Sequence, residues 1–226
     1  MTQALIAAAG IGKRFFENPN GLGKQFIEIN GKPLIEYVIE DLIKKGVTKI
    51  LIVANKNNHR LFVPFENKVD LSIVIDKELK GVSYYPYLLE DKLPEQYFYV
   101  YGHQPITPQH LQGLENITQK QETGVSVYQT YEKNKRISVD IMETAELDFC
   151  KGKYPQKYIG APYLLFAPPF IKLSRDDQFR NWLGYYIKQA ALKLNLKVKG
   201  ILASMPPEMD FKYQLPSLIE FLKKRN

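Results

Sequence analysis

Cysteine, tryptophan and histidine are scarce in this sequence of 226 residues, which contains one Cys, one Trp and three His. The single cysteine, Cys150, excludes an internal disulfide framework and is typical of proteins from a reducing compartment. No His or Asn can be identified in the sequence as a catalytic partner of Cys150, which disfavours a catalytic thiol. His59 and His110 are isolated along the chain and are predicted to lie on the surface.

Long hydrophobic runs are also absent. No apolar stretch approaches the roughly 20 residues that cross a membrane as a helix. The chain opens directly into the apolar run Ala4–Ala9, which is too short for a signal peptide and has no basic lead. The sequence therefore predicts a cytoplasmic protein without a membrane partner.

Dense clusters of positive charge are missing, although the formal net charge is +7 and the pI is about 9.2. The lysines are spread along the chain, and neither an arginine-rich arm nor zinc-knuckle spacing is present. The basic end Lys223-Lys224-Arg225 suits the last turn of a helix, where cations interact favourably with the dipole. Nucleic acid is therefore disfavoured as the main partner, and a phosphorylated small substrate accounts for part of the charge equally well.

What is present is the pattern of an ordinary α/β protein. Strand and helix patterns alternate through the first half, which favours a mostly parallel sheet covered by helices. The length suits one domain, predicted over residues 1–226. Pro33 and Gly46 are predicted to mark the start and the end of the first long helix. Strands are predicted at 3–9, 48–54, 69–75, 97–101, 124–131, 136–142, 161–167 and 197–203, helices at 33–45, 108–120, 177–196 and 216–224, a hairpin between 124–131 and 136–142, and a loop over 143–158.

A glycine-rich segment follows the first predicted strand. It contains Gly10 and Gly12, a basic pair at Lys13 and Arg14, and a further lysine at Lys24. The next convincing helix begins only near Pro33, so the connection is roughly 20 residues long, against the usual two to six. A loop of that length is usually functional, and its cations suit an anionic ligand.

Two common phosphate-binding motifs do not fit this segment. A dinucleotide fingerprint requires a third glycine where the chain has Phe15, and it also requires a helix that starts at once. A P-loop requires Ser or Thr after its Gly-Lys pair, whereas Arg14, Gln25 and Pro33 occupy the three available positions. A nicotinamide-dependent oxidoreductase is therefore disfavoured.

The same segment carries a family resemblance. Leu5-Ile-Ala-Ala-Ala-Gly-x-Gly-x-Arg14, followed by Lys24 and then by Gly31-Lys-Pro-Leu-Ile-Glu-Tyr-Val-Ile39, resembles the signature of the sugar-phosphate nucleotidyltransferases. It is also similar to the methylerythritol-phosphate cytidylyltransferases, whose Pro-Lys-Gln appears here as Gly23-Lys24-Gln25. The resemblance implies a single three-layer α/β domain of the nucleotide-diphospho-sugar transferase (GT-A-like) fold, with ligands at the carboxyl ends of the strands.

The resemblance also implies an activity and a set of site residues. Such enzymes transfer a nucleoside monophosphate from a nucleoside triphosphate to a phosphorylated sugar, alditol or aminoalcohol and release pyrophosphate. Carried onto this sequence, Arg14 would face the leaving pyrophosphate and Lys24 would lie beside the α-phosphate. The alternative for both is a solvent-exposed charge. The backbone groups expected to bind the nucleotide belong to Ala8, Ala9, Gly10 and Gly12, and Gly81 begins the segment that corresponds to the family's base-selecting motif.

The second family motif departs from the expected pattern. Tyr99-Val-Tyr-Gly-His-Gln-Pro-Ile-Thr107 resembles a strand that ends in Gly-Asp-x-Pro, but His103 stands where the family has a magnesium-binding aspartate. Asp210 is the candidate for the other metal ligand, with an N-terminal cap or exposed turn residue as its alternative role. The resemblance implies magnesium as cofactor, although imidazole suits manganese or another borderline metal better.

Several points stay open from the sequence. Either Lys153 or Lys157 corresponds to the family's sugar-phosphate lysine, and neither the base nor the acceptor is fixed. The protein is expected to bind a nucleoside triphosphate and a phosphorylated small molecule, and a homo-oligomer is left open. The missing aspartate at His103 also permits a second class of function, a nucleotide- or sugar-binding relative without catalysis.

Overall fold

The chain forms two compact units. The first comprises Met1–Leu79, Val100–Pro108 and Pro206–Asn226, and the second comprises Lys80–Tyr99 and Gln109–Met205. The prediction of one domain over residues 1–226 stays a prediction, and each unit is described by itself. The computed structural model describes residues 2–16, 21–94, 96–118, 122–130, 138–148, 156–166, 183–195, 197–202 and 212–224.

A parallel sheet forms the core of the first unit. Strands β1 and β4 pair in parallel, as do β4 and β5. The apolar residues of β1 and β4 are fully buried, as expected for parallel strands covered on both faces. The elements up to this point are β1 (Thr2–Ala7), β2 (Glu28–Ile29), β3 (Lys32–Pro33), helix α1 (Leu34–Lys44), β4 (Val47–Ala54), β5 (Asp70–Ile75) and β6 (Tyr97–Tyr101), whose last two residues belong to the first unit.

Helix α1 confirms the prediction made for residues 33–45. It begins directly after Pro33, which has a φ of −65°, and it is followed by Gly46 with a φ of +91°. Each of its fully buried aliphatic side chains contributes about 1.5–3 kcal/mol to folding. Those side chains are Leu34, Ile35, Val38, Ile39 and Leu42.

The second unit contains a mixed sheet. Strand β10 pairs antiparallel with β6, β7 and β8, whereas β11 pairs in parallel with β7. Together with the parallel pairs of the first unit, these pairings confirm the α/β class. The elements are α2 (Tyr85–Leu88), α3 (Pro108–Ile117), β7 (Thr123–Thr130), β8 (Ser138–Ile141), β9 (Leu147–Asp148), β10 (Gln156–Phe166), α4 (Leu183–Leu194) and β11 (Val198–Leu202).

Two predictions in the second unit are wrong. The predicted hairpin between 124–131 and 136–142 does not form, because β7 pairs with β10 and β11, and β8 pairs with β10 and β9. The predicted loop over 143–158 contains β9 and the first residues of β10. Alternating side chains predict that a segment is a strand, but they do not identify its partner when that partner is distant in sequence.

The last helix, α5 (Leu215–Lys223), belongs to the first unit. Its buried residues Leu218 and Leu222 join an apolar cluster with Phe15, Ile29, Leu34 and Tyr37. We call this group the anchor cluster. Among the described residues, none of the helices combines the length and the apolar character needed to span a membrane.

Candidate functional site

The glycine-rich loop begins at the carboxyl end of β1. Ala8 and Ala9 are buried, and Gly10 is exposed. The Ala8 N–H donates to the Val53 carbonyl at 2.9 Å, so the start of the loop continues the pairing with β4. This edge of a parallel sheet is where α/β proteins usually bind ligands.

Three buried amide side chains hold the loop from inside, and we call Gln25, Asn55 and Asn58 the amide clamp. Their exposed fractions are 2 %, 3 % and 0 %. Gln25 Nε2 donates to the carbonyls of Ala8 (2.6 Å) and Leu22 (3.2 Å), and Asn58 Nδ2 donates to the same two carbonyls at 3.0 and 2.9 Å. Asn55 Nδ2 donates to the carbonyls of Ala9 at 2.9 Å and Gly21 at 2.8 Å.

The orientation of the two asparagine amides is fixed by backbone donors. Asn58 Oδ1 accepts from the Asn55 N–H at 2.9 Å. Asn55 Oδ1 accepts from the N–H groups of Asn57 at 2.8 Å and Asn58 at 3.1 Å. Because each oxygen faces N–H donors, each amide nitrogen must face the loop carbonyls. The clamp therefore ties the segment before Gly10 to the segment around Gly21 and Leu22.

The backbone polarity of the loop follows from the clamp. The carbonyls of Ala8 and Ala9 are occupied by clamp donors. In contrast, the N–H groups of residues 9–12 donate to no described residue. Gly12 has a φ of +71°, and its carbonyl accepts from the N–H groups of Phe15 and Phe16 at 2.9 and 3.0 Å. Successive N–H groups around a left-handed residue form a concavity that suits an anion.

Gly23 brings the two limbs of the loop into direct contact. Its φ is +87°, and a Cβ at this position would overlap the carbonyl oxygen of Gly10 and the side-chain amide of Gln25. Glycine is therefore required here both by conformation and by space.

The basic pair Lys13 and Arg14 is exposed on the turn that Gly12 begins. The next residue, Phe15, is buried in the anchor cluster and makes an edge-to-face contact with Phe16, with ring centroids 5.1 Å apart. Phe15 thus holds one side of the turn inside the protein, and Lys13 and Arg14 lie on the exposed side.

Lys24 has a different environment from Arg14. It opens the 3-10 helix Lys24–Phe26, and only 9 % of it is exposed. The alternative of a solvent-exposed charge is therefore wrong for Lys24, whereas Arg14 is exposed. A charge of low exposure interacts more strongly with a bound anion than one in bulk solvent.

His103 lies next to the start of the loop. The Gly102 N–H donates to the Ala7 carbonyl at 3.0 Å, and a Cβ on Gly102 would lie 3.2 Å from that of Ala8. The imidazole stacks on Tyr101, with centroids 5.6 Å apart and an interplanar angle of 13°. No group of three or more His, Cys, Asp or Glu side chains that could hold a metal occurs among the described residues.

The acidic residue Asp76 was not singled out by the sequence. It follows β5 at the same edge of the sheet and is buried. Its Oδ1 accepts from the N–H groups of Glu78 at 3.1 Å and Leu79 at 2.9 Å, whereas Oδ2 has no hydrogen-bond partner among the described residues. Asp76, Asn55 and Asn58 share a signal, since each is a polar residue within four positions of the carboxyl end of a strand.

Gly81 belongs to the second unit, so the described geometry does not place it at the loop. It has a φ of +100° and precedes the 3-10 helix Val82–Tyr84. The Tyr99 hydroxyl donates to the Val82 carbonyl, and Lys80 Nζ lies 4.9 Å from the centroid of the Tyr84 ring. Two tyrosines and a buried Ser83 thus follow Gly81, and its nucleotide-binding role stays a prediction.

Several candidates fall outside the described residues. Asp210, Lys153 and Cys150 are among them, and of Lys157 only the backbone is described, opposite Gln129 in β7. His110 is half-buried on α3, and burial lowers the pKa of its imidazole.

Comparison with known proteins gives one family match. Residues 4–131, more than half of the chain, match the family model described as the MobA-like NTP transferase domain.

Curated relatives match a shorter part of the chain. A UTP–glucose-1-phosphate uridylyltransferase of Staphylococcus epidermidis is 33 % identical over 79 residues, which is 35 % of this chain and 27 % of that protein. A second such enzyme, from Streptococcus pyogenes, is 35 % identical over 69 residues, or 30 % of this chain and 23 % of that protein. The chain thus spans about a quarter of the length of the curated relatives it matches.

Solved structures match along the whole chain. The inositol-1-phosphate CTP transferase from T. maritima superposes with a TM-score of 0.78 at 20 % identity and covers 99 % of this chain and 97 % of its own. A UDP-glucose pyrophosphorylase complexed with UDP-glucose gives a TM-score of 0.78 at 17 % identity and covers 100 % of both chains. At these identities the similarity establishes the fold, and it confirms the fold class predicted from the sequence.

Proposed function

Because this chain belongs to the MobA-like NTP transferase domain family, we propose that it is a nucleotidyltransferase. The reaction would transfer a nucleoside monophosphate from a nucleoside triphosphate to a phosphorylated sugar, alditol or aminoalcohol and release pyrophosphate. The observation that carries the proposal is the loop that follows β1, where carbonyls are tied down by the amide clamp and the N–H groups of residues 9–12 donate to no described residue.

The roles of the side chains follow from the charge that the reaction moves. An acceptor phosphate oxygen attacks the α-phosphorus, the bond to the bridging oxygen breaks, and pyrophosphate leaves with that electron pair. Loop N–H groups would hold phosphate oxygens, exposed Arg14 would neutralise the leaving pyrophosphate, and buried Lys24 would lie beside the α-phosphate. Fixed donors of this kind lower the barrier because they need no reorganisation during the reaction.

A divalent cation is part of the proposal, with Asp210 and His103 as its ligands. The described residues do not fit magnesium, because an imidazole stacked on Tyr101 replaces the expected carboxylate and no cluster of ligands accompanies it within the described part of the chain. Manganese or another borderline metal suits imidazole better.

A second function is favoured by the same residue. With His103 in place of an aspartate, the chain could bind a nucleotide or a sugar without catalysing transfer. Both functions require the phosphate-binding loop, and only the first requires turnover. The proposal also includes a cytoplasmic location and, as partners, a nucleoside triphosphate and a phosphorylated small molecule. A homo-oligomer is left open.

The experiment combines binding with turnover. Thermal unfolding is first measured with each of the four nucleoside triphosphates, in the presence of magnesium, of manganese or of neither metal. A ligand present at 100 times its Kd stabilises the folded state by about 2.7 kcal/mol and so raises the unfolding temperature. Pyrophosphate release is then measured with the best triphosphate and a panel of acceptors that includes glucose 1-phosphate and inositol 1-phosphate.

Release that requires both substrates and is lost in Arg14→Ala supports the transferase. Stabilisation by a triphosphate without release from any acceptor supports the non-catalytic alternative. If no triphosphate stabilises the protein, the transferase and the nucleotide-binding form of the alternative are both wrong.

A further inference from the structure

We propose that Asn58 and Gln25 are positioning residues for the phosphate-binding loop, and this inference rests on the proposed function. Neither side chain is exposed enough to meet a ligand, since Asn58 is 0 % and Gln25 is 2 % exposed. Their effect on binding would instead pass through the backbone carbonyls that they hold. No family motif in the sequence points to Asn58.

The two amides share the same pair of acceptors. Ala8 and Leu22 each offer one carbonyl oxygen, and each of these oxygens accepts from both Asn58 Nδ2 and Gln25 Nε2. A carbonyl oxygen has two lone pairs, so both are used. Ala8 precedes the glycine turn and Leu22 follows it, which means that the shared acceptors join the two limbs of the loop.

Holding these carbonyls inside the protein determines what the loop offers to an anion. A carbonyl oxygen that turned toward a phosphate would repel it, whereas an N–H group would donate to it. With the carbonyls of Ala8 and Leu22 held by Gln25 and Asn58, the loop is left with N–H groups at residues 9–12 that donate to no described residue. Preorganisation of this kind raises affinity because binding does not have to order the loop.

Asn58 permits a substitution that keeps the shape of the side chain while it replaces the donor. Its Oδ1 accepts from the Asn55 N–H, and an aspartate would keep that acceptor and the shape of the side chain. The Nδ2 donor, however, would become a carboxylate oxygen facing two carbonyl oxygens. Asn58→Asp should therefore push the two limbs apart. Gln25→Met removes two donors without adding charge, and Asn58 still holds both carbonyls, so its effect should be smaller.

The test measures the Kd for a nucleoside triphosphate by calorimetry on the full chain. We expect the Kd to rise about ten- to a hundred-fold in Asn58→Asp and a few-fold in Gln25→Met, in line with the cost of lost or reversed buried hydrogen bonds. Asn67→Asp is the matched control, because it adds the same charge at an exposed position and should leave the Kd unchanged.

Hydrogen exchange separates positioning from general destabilisation. With saturating triphosphate, residues 9–14 should be protected less in the two clamp variants than in the parent, whereas the buried strand residues 4–7 and 50–53 should exchange at the parental rate. Equal acceleration in strands and loop would overturn the inference. If Asn58→Asp does not fold, Gln25→Met decides alone.

The outcomes keep the inference distinct from the proposed function. A parent protein that binds no triphosphate contradicts the proposed function. A parent that binds, together with clamp variants that bind equally well and exchange at the parental rate in the loop, overturns the role of Asn58 and Gln25 while leaving the proposed function intact.

Discussion

Replacing Gly23 by alanine should separate the two limbs of the loop, and Gly46 provides the matched control. The two glycines have similar φ values of +87° and +91°, and Gly23 has a ψ of 159°. An alanine at so positive a φ costs about 1–3 kcal/mol of stability. At Gly46 a Cβ would meet nothing within 4 Å, so the conformational cost is the whole effect.

At Gly23 the added methyl group also needs space that the loop does not have. It would lie 2.5 Å from Gln25 Oε1, 2.6 Å from Gln25 Nε2 and closer still to the Gly10 carbonyl oxygen. Insertion of a methyl group into a packed site costs about 1–3 kcal/mol. Gly23→Ala should therefore lower the free energy of unfolding by about 2–6 kcal/mol, against about 1–3 kcal/mol for Gly46→Ala.

Binding is the sharper measurement of the two. Because Gly10 must move to admit the methyl group, Gly23→Ala should weaken triphosphate binding at least about tenfold, the equivalent of 1.4 kcal/mol. Gly46→Ala should bind as the parent does. Unfolding by urea and calorimetric titration with the triphosphate measure the two quantities on the same samples. Equal affinity of the two variants would refute the contact between the limbs as a determinant of binding.

Three further predictions concern single side chains. Arg14→Ala and Lys24→Ala should each weaken triphosphate binding by about 1.5–3 kcal/mol, the range for a charge-assisted hydrogen bond, and unchanged titration curves in both would contradict the site. His103→Asp should strengthen binding or turnover with magnesium and weaken binding without metal, since a carboxylate holds the cation but repels the phosphates. A variant with neither change would show that His103 is not at the metal corner. Burial lowers the pKa of His110 in the folded protein below its ordinary value of 6.5. The neutral imidazole therefore contributes to the free energy of unfolding above pH 6.5, and this contribution is lost as the pH falls through the lowered pKa of the folded state. The unfolding free energy of His110→Gln, followed by denaturant titration from pH 7 to 5, should fall less than that of the parent.

The sequence could predict those parts of the fold that depend on neighbouring residues. Helix α1 is an example, because its apolar spacing, Pro33 and Gly46 all act within a few turns. The hairpin formed by β2 and β3 also had a local signal, since Asn30 and Gly31 both have positive φ and such a pair favours a tight hairpin turn. That signal was missed.

The partners of strands and of the clamp residues could not be found in the same way. The pairing of β7 with β10 depends on segments that are far apart in sequence. Asn55 and Asn58 belong to no motif, and their role becomes visible only when the carboxyl ends of β1 and β4 lie side by side. Gly10, Gly12 and Arg14 were singled out because loop composition is a local feature, but their roles toward a ligand stay predictions.

The anchor cluster has a consequence for the order in which the protein matures during synthesis. Phe15 lies near one end of the described chain and Leu218 near the other, yet both belong to the same apolar cluster. At a translation rate of about 5–20 residues per second, roughly 10–40 seconds pass between the synthesis of these two residues. Until the segment that forms α5 is made, the turn with Lys13 and Arg14 lacks part of its support. We therefore expect a nascent chain to acquire affinity for triphosphates only after the segment that forms α5 has been made, long after the loop itself.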